Sequence, residues 1–556
     1  MTRLPGSPGG PRWPRSVAGA VAGVLTAAAA IGVAQFVAGL AARQGSPPAA
    51  VAEAAIDLSP QPVKDFAIST FGSADKSVLT GGILVVLALS AAVIGVLAAR
   101  RLAYGLCGLA VFTGAGLAAA LTRPGASAAY AAPTLAGAAA GAVTLTWLIR
   151  AASGPRPAPA GGAAPQVPPT GAAPRATGTA PQAVSPGTPL PARAGGALVA
   201  WQPDRRRFLA GSGAALAAAA VGGIAGRELT TRQGVTQAMA ALRFPAPARP
   251  APPLPAGSDL RIPGLSPFIT PDSSFYRVDT AIVLPEVAPQ SWRLRIHGMV
   301  GRELDITFAE LLRRPLIEDY VTLTCVSNPV GGPYIGNAKW LGASLASLIR
   351  RARPRPGADQ LLCTSADGFT SGTPLAVVLD GRDALLAVAM NGTALPVAHG
   401  FPARMVIPGL YGYVSATKWV TDIKVTTFAA ESAYWVQRGW AQQAPIKTES
   451  RIDVPAGGAA LGPGRIPVAG VAWAQHKGIA AVQVRVDRGP WHEARLAAVP
   501  DIDTWRQWVW YWDAAPGSHL IEARATDATG YTQTAAVTPT VPNGASGYPS
   551  VTVTVR

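Results

Sequence analysis

Cys325 ends a β-branched run and opens a turn, in the stretch TLTCVSNPVGG over residues 322 to 332. A strand that hands a lone thiol to a Ser, Asn, Pro and Gly loop can present it to a pocket, where thiolates ligate soft metals or exchange electrons. The chain holds three cysteines in 556 residues. That is too few for a disulfide framework, and no CxxC partner supplies the ligands of a structural zinc site. On its local sequence alone, Cys325 reads more readily as a small buried hydrophobe or as the partner of Cys363. What surrounds it must decide.

The elements that would position this thiol lie in two unlike halves. With 49% hydrophobic and only 14% charged residues, part of the chain must lie in lipid. Four segments are each close to the roughly 20 residues that cross a bilayer core: Val17 to Ala42, Val78 to Ala99, Leu102 to Leu121 and Tyr130 to Ile149. Their interiors carry no Asp, Glu, Lys, Arg or His. Arg3, Arg12 and Arg15 precede the first, Arg100 and Arg101 join the second to the third, and Arg150, Arg156, Arg175 and Arg193 follow the fourth. Basic residues at span ends stay cytoplasmic, so the amino terminus is expected inside. The loop 43 to 76, which balances Arg43, Lys64 and Lys76 against Glu53, Asp57, Asp65 and Asp75, is expected outside.

Residues 150 to 203 are rich in Pro, Ala and Gly without periodicity and read as an extended cytoplasmic linker. DRRRFLAGSGAALAAAAVGGIAG follows, with Asp204 to Arg207 ahead of a weakly apolar run. This has the form of a twin-arginine export signal placed internally, and equally of a fifth span whose arginines obey the positive-inside rule. Either form leaves the rest of the chain outside. A twin-arginine signal carries folded proteins and so predicts a cofactor inserted in the cytoplasm. The net charge of +17 is largely arginine in tails and linkers, where it orients spans and meets anionic lipid; no nucleic-acid surface is indicated.

After a second Pro-rich linker the texture becomes globular. WRLRIHGMV alternates like a strand, and FAELLRR and SLASLIRR have helical spacing, giving mixed α/β structure to about residue 428. From about residue 450, short alternating runs separated by Gly and Pro turns predict a β sandwich, with Trp505, Trp508, Trp510 and Trp512 in its core and interface rather than stacked on a sugar.

FITPDSSFYRVDTA, TLTCVSNPVGG and MNGTALPVAHGFPARMVIPGLYGYVSATKW occur in this order ahead of that sandwich. Residues 261 to 556 thereby resemble the sulfite oxidase family of molybdopterin oxidoreductases. The resemblance implies an outer mixed α/β sulfite-oxidase-type molybdopterin domain, then an all-β immunoglobulin-like sandwich that often forms a homodimer contact, both behind an N-terminal all-α transmembrane bundle. It implies one molybdenum on one pyranopterin, with Cys325 as metal ligand and catalytic residue. Arg404, His399 and Lys418 would meet the phosphate and polar ring edge of the cofactor. Phe275, Tyr276, Arg277, Asp279 and Asp367 would line it, and the Ser415 to Lys418 turn would close over it. Singly, His399 reads as a turn residue, Arg404 as a surface charge and Lys418 as a cation over Trp419; in the family's order the cofactor reading prevails.

Departures bear on the substrate. Val330 stands where sulfite enzymes carry an arginine facing the anion, Phe369 where they carry a tyrosine, and Val278 and Asp279 follow Arg277 where they carry Asn and His. The cofactor site survives these changes. Sulfite as substrate does not, and oxygen-atom transfer on a neutral or differently charged small molecule is expected. All five histidines, 297, 399, 476, 492 and 519, lie outside the spans, so no haem is expected in this chain and electrons would pass to a separate cytochrome or quinone-linked membrane protein. The expected division is a cytoplasmic tail (1–16), four transmembrane helices (17–149), a linker (150–203), a twin-arginine-like fifth span (204–228), an outer linker (229–260), the molybdopterin domain (261–428) and the sandwich (429–556). A cofactor-less envelope scaffold that keeps the fold is the alternative.

Overall fold

The computed structural model describes residues 15–41, 46–59, 63, 75–123, 126–153, 208–217, 219–221 and 235–556. The linker over 154–207, with Asp204 to Arg207, lies outside the described residues. Four helices are long and apolar enough to cross a membrane: α1 (Arg15–Ala41), α3 (Asp75–Arg100), α4 (Leu102–Leu121) and α5 (Ala131–Ser153). Small residues let helices of this kind approach backbone to backbone. Gly23 of α1 shows this: a Cβ there would lie 1.9 Å from the carbonyl oxygen of Ala91 on α3. Ala215 and Phe208, from the fifth apolar segment, join a cluster with Ala22, Ala98 and Leu145. A short helix α2 (Pro47–Leu58), opened by Pro at its first turn, lies in the loop between α1 and α3.

Beyond α6 (Val235–Ala241) the chain forms β1 (Arg293–Gly298), β2 (Leu304–Thr307), β3 (Leu316–Thr324), β4 (Ile335–Ser344), β5 (Gln360–Ser365), β6 (Thr370–Pro374), β7 (Leu385–Met390), β8 (Thr393–Ala394), β9 (Arg404–Val406) and β10 (Val420–Thr426). One sheet runs β2-β1-β10-β5-β6, with β1 and β10 parallel; the other runs β3-β4-β7-β8, with β9 beside β7. The two expected helices form: Phe308–Leu312, held by a Thr307 and Glu310 capping box, and Leu345–Ala352, capped by Ser344. Their apolar faces join Trp292, Leu294 and Ile296 in one core.

Past residue 449 two sheets, of four and five strands, enclose a second core. Strands Glu449–Val454, Gly464–Trp473 and Arg506–Ala514 face Ile479–Val486, Gly517–Asp527 and Ser550–Val555. Trp508 and Trp512 belong to that core, whereas Trp505 is buried in the core of the preceding α/β part. The tryptophan cluster thus straddles the junction between the two outer parts.

Candidate active site

β3 pairs with β4 along its whole length and ends at Thr324, so Cys325 emerges from a sheet edge that cannot shift register without exposing its buried face. The loop is closed by its own backbone. Cys325 N–H donates to Tyr334 O at 3.0 Å, Asn328 N–H donates to Cys325 O at 3.1 Å, and Asn328 Oδ1 accepts from Tyr334 N–H at 2.8 Å. The thiol is buried with its sulfur 2.9 Å from Ser327 Oγ. Burial pushes the Cys325 pKa up, opposed by Ser327 and by the positive charge of Lys418. A bound metal would reverse that balance by holding the thiolate. Cys325 and Cys363 are both free; Cys363 is buried on β5, so the pairing that local sequence allowed does not occur.

Three more chain segments converge on this thiol. Phe275 and Tyr276 stack at 5.4 Å between ring centroids, and Phe275 meets Trp340 and His399 edge-on at 5.8 and 5.5 Å. Arg404, on β9, is buried over the Trp340 ring at 5.1 Å. Its guanidinium donates to His399 O at 3.1 Å, Ala416 O at 3.2 Å and Met405 O at 3.4 Å. It acquires no carboxylate among the described residues, and burial lowers its pKa to about 10. Lys418 is half-buried, its side chain 10% exposed. Its Nζ donates to Asp279 Oδ2 at 2.7 Å and Ala398 O at 3.3 Å, and burial lowers its pKa to about 8 despite Asp279. His399 Nε2–H donates to Asp272 O at 3.2 Å; burial, then Arg404 and Lys418, drop its pKa to about 4, leaving the imidazole neutral.

The other expected residues divide in role. Asp279 is clamped between Lys418 and Arg277, whose Nε lies 2.7 Å away, so it neutralises both cations. Ser415 Oγ donates to Leu410 O and Tyr411 O at 2.9 and 3.1 Å and is fully buried; its hydroxyl is used inside its own turn. Asp367 accepts from Phe369 N–H at 3.2 Å and Thr280 Oγ1–H at 3.4 Å. With Thr280, Phe369, Tyr434 and Arg438 it walls a polar cavity of about 280 Å³ whose far side is Glu53 of α2 and Arg123 beyond α4. Glu53 and Arg123 form an ion pair, and Glu53 Oε1 accepts Ile282 N–H at 3.3 Å.

The C-terminal sheets hold the cysteine strand from behind, which the sequence pattern did not reveal. Gln475 Nε2–H donates to Thr322 O and Thr324 Oγ1, both at 3.0 Å, and Trp505 N–H donates to Thr322 Oγ1 at 2.7 Å. Arg451 reaches Gly332 O at 3.2 Å. Polar side chains on a strand next to a buried partner domain were the only signal, and they look like ordinary surface residues until the partner is placed.

An excess of buried positive charge beside a soft sulfur donor is costly unless an anion completes it. Arg404, Lys418, neutral His399 and the Cys325 thiol are the donor set that a phosphate-bearing, thiolate-ligated metal cofactor needs, so the residues fit such a group.

Residues 281–435 match the oxidoreductase molybdopterin binding domain. The chain is 31% identical over 287 residues to the sulfite oxidase of Gallus gallus, a match covering 44% of this chain and 62% of that protein. This part of the chain carries a molybdopterin-binding domain and is similar to the sulfite oxidase family of molybdopterin oxidoreductases. The molybdopterin domain is also similar to an NADH nitrate reductase of Cichorium intybus, 30% identical over 194 residues, with 30% of this chain and 21% of that protein covered. Among solved structures, the sulfane dehydrogenase SoxCD from Paracoccus pantotrophus is 26% identical with a TM-score of 0.43, covering 48% of this chain and 74% of that one. The chain spans less than two thirds of the length of these curated relatives.

Proposed function

We propose that this protein is a membrane-anchored molybdenum oxidoreductase that transfers an oxygen atom to or from a small molecule other than sulfite, on the outer face of the cytoplasmic membrane. The observation that carries this reading is a pair of cations, the buried Arg404 and the half-buried Lys418, beside the buried Cys325 thiol. Bound there, the cofactor would supply a two-electron redox centre that accepts or donates an oxygen atom. The chain's own residues do the rest. Cys325 would ligate the metal as thiolate, Arg404 and His399 would bind the polar and phosphate groups, Lys418 would offset their charge with Asp279 as counter-ion, and Phe275, Tyr276 and Trp340 would exclude water. Val330 and Phe369, where sulfite enzymes carry Arg and Tyr, remove the charge-assisted contacts an anionic sulfite would use.

We read the chain as a bundle, a molybdopterin domain and an immunoglobulin-like sandwich divided near residues 261 and 428, with the sandwich as the surface for a homodimer. The topology has support of its own. The α1–α3 and α4–α5 connections, which the arginine pattern leaves outside, carry Glu53 and Arg123, and these two residues wall the cavity shared with the molybdopterin domain. Electrons would leave through a separate carrier. Metal and pterin analysis of the purified full chain tests the whole: about one molybdenum per chain is expected, none after Cys325→Ser with the fold retained. A wild-type chain free of molybdenum, from a host that makes the cofactor, would establish the scaffold alternative instead.

A further inference from the structure

A second cavity, of about 170 Å³, lies within the bundle among α1, α3, α4 and α5, roofed by α2. Its wall is almost wholly apolar, with Ile31, Phe112 and Val51 among the lining residues, and only three threonines break it. Two of these have spent their hydroxyls on their own helices: Thr26 Oγ1 donates to Ala22 O at 2.7 Å and Thr113 Oγ1 to Leu109 O at 2.8 Å. Thr134 is different. It is 6% exposed, and its hydroxyl has no hydrogen-bond partner among the described residues. A buried hydroxyl left unmade is unfavourable, most of all in lipid, and a ligand oxygen would satisfy it. Phe112 adds an aromatic surface against which a ring can stack. A saturated acyl chain would fill the space but leave Thr134 unpartnered.

The cavity's position adds a second constraint. α2 separates it from the polar cavity of the molybdopterin domain: Pro47, Pro48 and Val51 line the apolar side, while Ala50, Glu53 and Ala54 line the other. The two spaces are thus about one helix diameter, roughly 10 Å, apart. We propose that the bundle binds the ring of a lipid-soluble quinone in this cavity, with the Thr134 hydroxyl donating to a quinone carbonyl oxygen. The proposal rests on the oxidoreductase reading for its purpose but not for its geometry. Oxidation of a substrate by oxygen from water releases two electrons and two protons, and reduction of a quinone to its quinol consumes two of each. In the reductive direction a quinol returns them and water is formed.

The test uses the full chain in lipid nanodiscs, titrated with a decyl-substituted benzoquinone, with empty nanodiscs as blank and molybdenum content measured on the same preparation. One saturable quinone per chain is expected. Thr134→Val should weaken binding about tenfold, the fold-change one hydrogen bond supports, and Ala138→Leu, which fills the cavity from α5, should abolish it. No saturable binding by the wild type, or binding unchanged in both variants, overturns the proposal. So does displacement by a saturated C12 alcohol with Thr134→Val behaving as wild type, which would mark an acyl-chain groove. Circular dichroism checks that each variant is helical; should Ala138→Leu fail to fold, Thr134→Val decides alone. A molybdenum-loaded chain that does not bind quinone removes this inference and leaves the active-site reading intact; a molybdenum-free chain that binds quinone does the reverse.

Discussion

Replacing Arg404 by Met separates the needs of the fold from those of the cofactor. The side chain is buried, and burial lowers its pKa to about 10. At neutral pH the guanidinium stays charged, so that drop corresponds to about 3 kcal/mol of unfavourable burial. Its three donations to carbonyl oxygens offset a similar amount, at roughly 1 kcal/mol or more each for a charged donor. Methionine fills comparable volume over Trp340 without the desolvation cost but leaves the His399 and Ala416 carbonyls unpartnered. In the cofactor-free chain the two sides nearly cancel, and stability should change by less than about 2 kcal/mol. The loaded chain differs, because a guanidinium facing an anion makes charge-assisted bonds of roughly 2 to 3 kcal/mol each. Losing one or two of them should lower cofactor affinity by about 30-fold to 10⁴-fold. Melting curves of loaded and cofactor-free protein, with molybdenum measured per chain after dialysis, read both quantities. The reasoning is refuted if R404M keeps full molybdenum occupancy, or if the cofactor-free variant collapses while the loaded one does not.

Other outcomes follow from contacts between parts. Trp505→Ala removes a buried ring whose Nε1–H donates to Phe268 O at 2.9 Å. It should cost about 3 to 5 kcal/mol and lower molybdenum occupancy by loosening the cysteine strand, both readable by thermal melting and metal analysis. Glu53→Ala should raise hydrogen exchange at the Ile282 amide about fivefold, equivalent to roughly 1 kcal/mol for a half-buried pair and its bond; unchanged exchange would mean that the bundle and the molybdopterin domain do not meet there. Burial, with repulsion between carboxylates, raises the pKa of Asp319 to about 7 and of Asp501 to about 6. The folded state therefore holds protons that the unfolded state has released. Stability from these groups is full below about pH 4 and is lost as pH rises through 6 to 7, by an amount on the order of 2 kcal/mol. Asp319→Asn should flatten the fall in melting temperature between pH 4 and 8; an unchanged slope would contradict the assignment.

The sequence by itself determined the parts. Apolar runs of bilayer length fixed four helices, because a span's length and composition are local properties. Period-two alternation placed β1, and the capping box at Thr307 and Glu310 fixed a helix start, for the same reason. The cysteine, the HGFPAR segment and the lysine were recognisable because their order along the chain is itself the signal. What only the tertiary structure decided is which charges those residues share. Asp279 and Ser415 lie in the right segments, yet one neutralises Lys418 and Arg277 while the other bonds its own turn, and no local pattern distinguishes a carboxylate facing a ligand from one facing a cation. The support that Gln475, Arg451 and Trp505 give the cysteine strand is invisible in sequence because those contacts span more than 100 residues. The cavity walled by Glu53 and Arg123 exists only once the bundle is docked, since a pocket belongs to the space between elements and not to any one of them.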